Sequence, residues 1–314
     1  MRAASVDTQI PVIDFSRFNP SDQSSLEALA SEVDQALSGV GFMSVRHLGI
    51  DNELLCQVFE ASRTFFSADE SHKLGSAYRS ASENFGYQGV GQENLDPSAP
   101  ADLKETFTMR NVLHRPPDDA RWPDGTFRDL MRAFYRECLD AAFRLMRVLT
   151  IALDLSPDFF QRYHSGENVT LRLLHYPSIE KVPEAGQLGA GAHTDYGLLT
   201  LLFQNDIGGL EVRTGDGEWQ GVAASPQDVV INSGDLLEVW TNGRYRSTPH
   251  RVQPMSDSNH RQSIAMFVDP DSATEVAALP SCVSASNPAR FSPTSAGRHL
   301  QERIEASHKA RFEV

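Results

Sequence analysis

Between residues 169 and 268 the chain is cut into short apolar or alternating runs, each followed by a turn: "VTLRLLHYP", "LLTLLFQ", "GGLEVRT", "EWQGVA", "DVVINSGD" and "RQSIAMFVD". No other feature restricts the fold as tightly. Many short strands at roughly even spacing point to a sandwich or jelly roll rather than to a parallel sheet. The Asp216-Gly217 pair between two of these runs is a hairpin signal, because tight hairpin turns need residues that accept a left-handed backbone.

The flanking regions have a different texture. "IPVIDFSRF" reads as a short strand ended by the polar turn "NPSDQSS". Leu26, Leu29, Ala30, Val33 and Leu37 recur at helical spacing, with Gly39 closing that helix. "GFMSVRHLGI" reads as a strand, and "DNELLCQVFEASRTFFS" as an amphipathic helix with Asp51 as its N-cap. Residues 78–104 are rich in Ser, Asn, Gly and Pro and read as a long surface excursion, the kind of loop that carries lids or substrate contacts. The longest helix is predicted over about residues 127–155, where Met131, Phe134, Cys138, Ala142, Leu145, Leu149 and Ala152 make one packing stripe. "GRHLQERIEASHKARF" reads as a polar C-terminal helix. The expected architecture is a β-core packed on helices and preceded by a mixed α/β lobe.

Composition excludes several classes of function. A chain of 314 residues buries a substantial core, as one large domain or two intimately packed lobes. A net charge of −14 argues against nucleic acid, whose phosphates call for a surplus of Lys and Arg. Cys56, Cys138 and Cys282 are odd in number and widely spaced, which fits reduced thiols better than a disulfide framework. No apolar run approaches the ~20 residues of a membrane helix. The N-terminal stretch lacks the apolar centre of a secretory signal. The expected setting is the cytoplasm, with no membrane partner and an open oligomeric state.

The chemistry concentrates in "GAGAHTDYGLLTLLFQN", residues 189–205. His193 and Asp195 stand two apart, so on an extended segment both side chains point to one face and reach one ion. Within the β-rich half, His175, His250 and His260 are the candidates for a third ligand, and His250 stands where a strand should begin. Two imidazoles and one carboxylate make the facial set of non-heme Fe(II) oxygenases, and they also suit a hydrolytic Zn(II), a remoter alternative. Downstream, Arg261 and Ser263 share a strand face with Ala265 and Phe267. An arginine facing into an apolar core needs a negative partner, either a bound carboxylate or an internal acid. Tyr176, on a face with Leu174 and Arg172, either donates to the same carboxylate or simply fills core.

These residues carry a resemblance. The chain is similar to the isopenicillin N synthase-like family of 2-oxoglutarate/Fe(II)-dependent dioxygenases through "HTDYGLLTLL", "GGLEVRTGDGEWQGV", "INSGDLLEVWTNGRYRSTPHRV" and "RQSIAMFVDP". "IPVIDFS", "GFMSVRHLGI" and "GYQGVGQENLD…DLKETFTM" extend the match to nearly the whole chain. The resemblance implies an α+β fold with a double-stranded β-helix (jelly-roll) core. It also implies a division into an N-terminal lobe (1–110), a helical connector (111–165), the core (166–270) and a C-terminal helical extension (271–314).

By the same resemblance His193, Asp195 and His250 are iron ligands. Arg261 and Ser263, helped by Tyr176, grip the distal carboxylate of 2-oxoglutarate. Where many plant members carry a polar residue two positions before that tyrosine, this chain has Leu174. Arg172 supplies polarity one step further along, toward the cosubstrate or an acidic substrate, or else forms an internal ion pair. The implied reaction couples O2 and decarboxylation of 2-oxoglutarate to oxidation of a C–H bond in a small molecule. Two variants within the family are an oxidase that needs no 2-oxoacid and an enzyme that fragments 2-oxoglutarate to ethylene. Tyr196 and Phe267 are further candidates for substrate contact.

Overall fold

The computed structural model describes residues 10–116, 119–178, 183–255 and 260–308. The reading of the extreme N-terminus and residues 309–312 of the expected C-terminal helix lie outside them. The N-terminal part runs β1 (Val12–Asp14), α1 (Gln23–Gly39), β2 (Phe42–Arg46), α2 (Asn52–Phe66), α3 (Glu70–Leu74), β3 (Phe85–Gln88) and β4 (Glu105–Arg110). The long helix α4 (Gly125–Ala152) leads into β5 (Thr170–Tyr176), β6 (Ala190–His193), β7 (Leu199–Gln204), β8 (Leu210–Arg213), β9 (Trp219–Gly221) and β10 (Val229–Ser233). A short α5 (Asp235–Trp240), β11 (His250–Val252), β12 (Arg261–Val268), β13 (Glu275–Val276), β14 (Thr294–Ser295) and α6 (Ala296–His308) complete the chain.

Two sheets face each other as a jelly roll. The larger has eight strands in the order β1-β2-β10-β7-β12-β5-β4-β3, and the smaller has four in the order β6-β11-β8-β9. Side chains alternate across the large sheet, and the alternation divides the core into two layers. Leu171, Leu173, Leu201, Phe203, Ile231, Ile264 and Met266 face outward and pack with the buried stripes of α1, α2 and α4. Phe42, Leu174, Val230 and Ala265 face inward against Ala190, Leu210, Val212 and Val252 of the smaller sheet. The second layer is incomplete, and the gap it leaves is the cavity described below.

Local signals account for the elements. Asp22 and Asp51 cap α1 and α2, accepting from the backbone N–H of Ser25 (3.2 Å) and Leu54 (2.9 Å). Gly39 is the last helical residue of α1, and the chain turns at Gly41 instead, where φ is +76°. Gly217 at φ +91° closes the β8–β9 hairpin. One expectation is overturned in part: residues 78–104 are mostly exposed or half-buried loop and bring Asn84, Glu93, Leu95 and Lys104 to the cavity, but they are not a surface excursion throughout. Phe85–Gln88 is a fully buried strand paired with β4, and Glu93, Asp102 and Lys104 are buried too. Two aromatic residues in four were too short a pattern to stand out from their Ser- and Asn-rich neighbours.

Candidate active site

β6 ends at His193, Asp195 follows two residues later, and β11 begins at His250, directly opposite His193 in the ladder. The register therefore brings the two histidines together, with ring centroids 4.3 Å apart. Asp195 Oδ1 lies 3.9 Å from His193 Nε2 and 3.7 Å from His250 Nε2. Among the described residues this is the one group of three able to hold a metal ion, its ligand atoms all within 4.8 Å of one another. His175 and His260 lie elsewhere: they bond each other at 3.2 Å, and His175 also bonds Glu105.

Hydrogen bonds leave one donor atom free on each of the three residues. His193 Nδ1 is 2.8 Å from the Gly191 carbonyl and His250 Nδ1 is 3.1 Å from that of Thr248. A carbonyl only accepts, so each Nδ1 carries a proton, which leaves Nε2 as the atom of each ring able to ligate a metal. Asp195 Oδ2 accepts from Thr200 Oγ1 (2.5 Å) and Asn232 Nδ2 (2.7 Å), which leaves Oδ1 free. Burial, joined by the neighbouring His250, pushes His193 down to about 3, so the imidazole is neutral at ordinary pH. Two imidazoles with Nε2 turned to the same point and a carboxylate, open on one side to a cavity, fit a divalent transition metal with vacant positions.

That cavity has an empty volume of about 1080 Å³, part of it open to solvent. On one side of the three residues it runs to Arg261, which is 0% exposed. The guanidinium donates to Gln204 Oε1 (2.8 Å) and Ser263 Oγ (3.2 Å) and lies 4.6 Å from the centroid of the Tyr176 ring, its partner in the β5–β12 register. Its Nε has no hydrogen-bond partner, and among the described residues no carboxylate pairs with it. Burial lowers the Arg261 pKa, yet guanidinium stays charged at any ordinary pH. The internal acid that would have explained Arg261 structurally is therefore missing among the described residues.

On the other side the cavity is lined by Asn84, Arg172, Tyr196, Phe267 and Asp269, with Leu300 and Ile304 of α6. Arg172 takes the internal pairing, donating to Glu93 Oε2 at 2.8 Å. Glu93 also meets Lys104 at 3.0 Å, and Lys104 pairs with Asp102. Asp102 in turn accepts from the Gly191 backbone N–H (2.9 Å), which ties this buried network to the strand carrying His193. Leu174 stands opposite Ser263 and contributes an apolar wall. Arg303 of α6 donates to Thr194 Oγ1 (2.9 Å) and covers the Tyr196 ring at 4.6 Å, so the C-terminal helix sits on the loop between the first two candidate ligands.

Known proteins place this geometry. Residues 159–270 match the model of the 2OG-Fe(II) oxygenase superfamily, and residues 10–126 that of the N-terminal region of non-haem dioxygenases in morphine synthesis. The chain belongs to the 2OG-Fe(II) oxygenase superfamily. A 2-oxoglutarate-Fe(II) type oxidoreductase of Metarhizium majus, ppzD, is 31% identical, with 95% of each chain covered. The proline hydroxylase buaE of Petromyces alliaceus is 31% identical over 90% of this chain and 94% of that protein. A full-length Neurospora crassa protein crystallised with alpha-KG (2-oxoglutarate) and thymine superposes with a TM-score of 0.86 at 30% identity, covering 96% of this chain and 98% of the other. As a 2OG-Fe(II) oxygenase, the chain uses Fe(II), 2-oxoglutarate and O2 to oxidise a small molecule. The zinc hydrolase alternative falls with that membership.

Sequence reasoning missed Thr200, Asn232 and Gln204, whose roles arise from strand pairing. It also missed the Glu93–Lys104–Asp102 network, which lay in the misread loop. Asp269 was within reach, since it continues the alternation that singled out Arg261, Ser263 and Phe267.

Proposed function

We propose that His193, Asp195 and His250 hold the iron, that Arg261 and Ser263 seat the distal carboxylate of 2-oxoglutarate, and that the substrate lies on the side lined by Arg172, Tyr196 and Phe267. The observation that carries this reading is Arg261: a fully buried cation that has no acid paired with it among the described residues, in the same cavity as the three candidate metal ligands. A dianionic cosubstrate supplies the missing charge, and the planar guanidinium suits a carboxylate. The Tyr176 ring beneath Arg261 fixes the direction in which the guanidinium points.

Iron with bound 2-oxoglutarate activates O2 for attack on a substrate C–H bond. The protein's own part is positioning. His193 and His250 are each held by a backbone carbonyl at Nδ1, Asp195 offers a single oxygen, and α6 with the apolar inward layer walls part of the cavity. Arg172 and Lys104 are engaged with Glu93 and Asp102, so they brace the wall rather than bind a free anion. One relative is a proline hydroxylase and another was crystallised with thymine, and a compact nitrogen-containing substrate is consistent with this cavity. Three unpaired thiols suit a reducing, cytoplasmic setting.

The test is anaerobic titration of the Fe(II) protein with 2-oxoglutarate, read as a weak visible charge-transfer band. Wild type is expected to develop the band. Arg261→Met is expected to bind 2-oxoglutarate ~100-fold more weakly, the scale of losing a buried charge-assisted contact. An unchanged titration in that variant refutes the placement.

A further inference from the structure

We infer that Asp269 is a specificity-determining residue whose carboxylate receives an N–H donor of the substrate, carried by an amine or an amide. This deepens the proposed function and rests on it.

Side chains alternate along β12. Arg261, Ser263, Ala265 and Phe267 all point into the cavity, and the same period makes Asp269, just past the strand's end, the fifth inward residue. Asp269 lines the cavity and is 7% exposed. Among the described residues it makes no side-chain hydrogen bond or ion pair. Arg110, the cation acting on it through space, has its guanidinium on Asn168 Oδ1 at 2.5 Å. Burial, reinforced by Asp195 and opposed by Arg110, pushes the Asp269 carboxyl up to about 7, as expected where the fold offers it no donor.

One strand face thus carries a buried cation at one end and a buried acid at the other, about 26 Å apart at 3.3 Å per residue. Among the described residues neither forms an ion pair, and Arg110, which acts on Asp269 only through space, bonds the neutral Asn168 instead. The cosubstrate answers Arg261, and the substrate is left to answer Asp269. The cations on that side are committed elsewhere, Arg172 to Glu93 and Lys104 to Glu93 and Asp102. Phe267 and the Tyr196 ring, with Leu95, Leu300 and Ile304, offer mainly apolar surface for the rest of the molecule, and the polar lining residues Asn84, Thr108 and Thr170 are uncharged. A carboxylate facing apolar walls beside a second acid is best met by a strong donor. An ammonium or a carbonyl-polarised amide N–H provides one.

The test is calorimetry on the anaerobic Fe(II) protein saturated with 2-oxoglutarate, using two pairs of probes. Pyrrolidine is compared with N,N-dimethylpyrrolidinium, and 2-pyrrolidinone with N-methyl-2-pyrrolidinone; the second member of each pair has no N–H. In at least one pair the N–H probe should bind wild type tenfold or more tightly than its blocked counterpart, and the pair that responds tells an amine from an amide. Asp269→Leu should abolish that preference. Asp269→Asn, which keeps shape and a carbonyl acceptor, should lose an amine preference and keep part of an amide preference. Blocked and unblocked probes behaving alike in wild type, including no binding by either, overturns the inference. So does a preference that survives in Asp269→Leu. The 2-oxoglutarate band, recorded on the same wild-type sample, separates the two levels: band present without preference sinks this inference alone, whereas no band sinks the reading beneath it.

Discussion

At the scale of single residues, two hydrogen bonds decide which oxygen of Asp195 is free. Thr200 and Asn232, cross-strand partners in the β7–β10 ladder, both donate to Oδ2. Asn232→Leu removes one donor and lets the carboxylate swing, so Fe(II) affinity is expected to fall ~10-fold or more. An anaerobic metal titration beside an unchanged circular dichroism spectrum checks this. Arg261 yields a prediction of opposite character. Stripping one partner from a buried ion pair costs ~3–5 kcal/mol. Arg261 has no acidic partner among the described residues, so Arg261→Met should lower the stability of the cosubstrate-free protein by no more than about 1 kcal/mol. Urea unfolding measures it, and a loss of several kcal/mol would reveal a counter-charge. His193, Asp195 and Arg261 were legible in the sequence because each breaks an apolar strand pattern. Asn232 was not, since an asparagine at a strand's end carries no signal until its neighbour is known.

At the scale of elements, capping and alternation carry most of what is readable. Asp51 announces α2 by its position before an amphipathic run, and Asp51→Ala should cost ~1 kcal/mol in denaturant unfolding while leaving the 2-oxoglutarate titration intact. β12 shows how far period two reaches: the residues it sends inward run from Arg261 and Ser263, the proposed clamp, at one end to Asp269 at the other. β3 marks the limit. Its four residues are buried only because β4 lies beside them, and Gly86 adopts φ +122° where a Cβ would meet the Ser76 carbonyl at 2.6 Å. α6 read as merely polar, yet Ala296 and Leu300 are buried and Arg303 reaches the loop between His193 and Asp195. Its amphipathic face has meaning only against the mouth of the cavity.

For the whole molecule, acid sensitivity follows from what the core holds neutral. His164 is buried with Nδ1 donating to the Phe160 carbonyl at 2.7 Å and no partner on Nε2. Burial, partly offset by that bond, lowers its pKa from 6.5 to about 4. The unfolded chain therefore binds the proton more readily between those values. The contribution is complete above pH 6.5 and is lost as pH falls toward 4, roughly 3 kcal/mol in all. Thermal unfolding should show a smaller decline between pH 7 and pH 4 in His164→Leu than in wild type, a comparison in which changes of the −14 net charge cancel. The sequence by itself determined the β-core, the helices that cover it, and the residues whose chemistry breaks an apolar pattern, because periodicity and caps act over a few neighbouring positions. Only the tertiary structure decided which atoms of those residues are free, which cations already have acidic partners, and that among the described residues Arg261 and Asp269 form no ion pair. Those properties belong to pairs of groups brought together by strand register and burial, across separations in the chain that no local pattern spans.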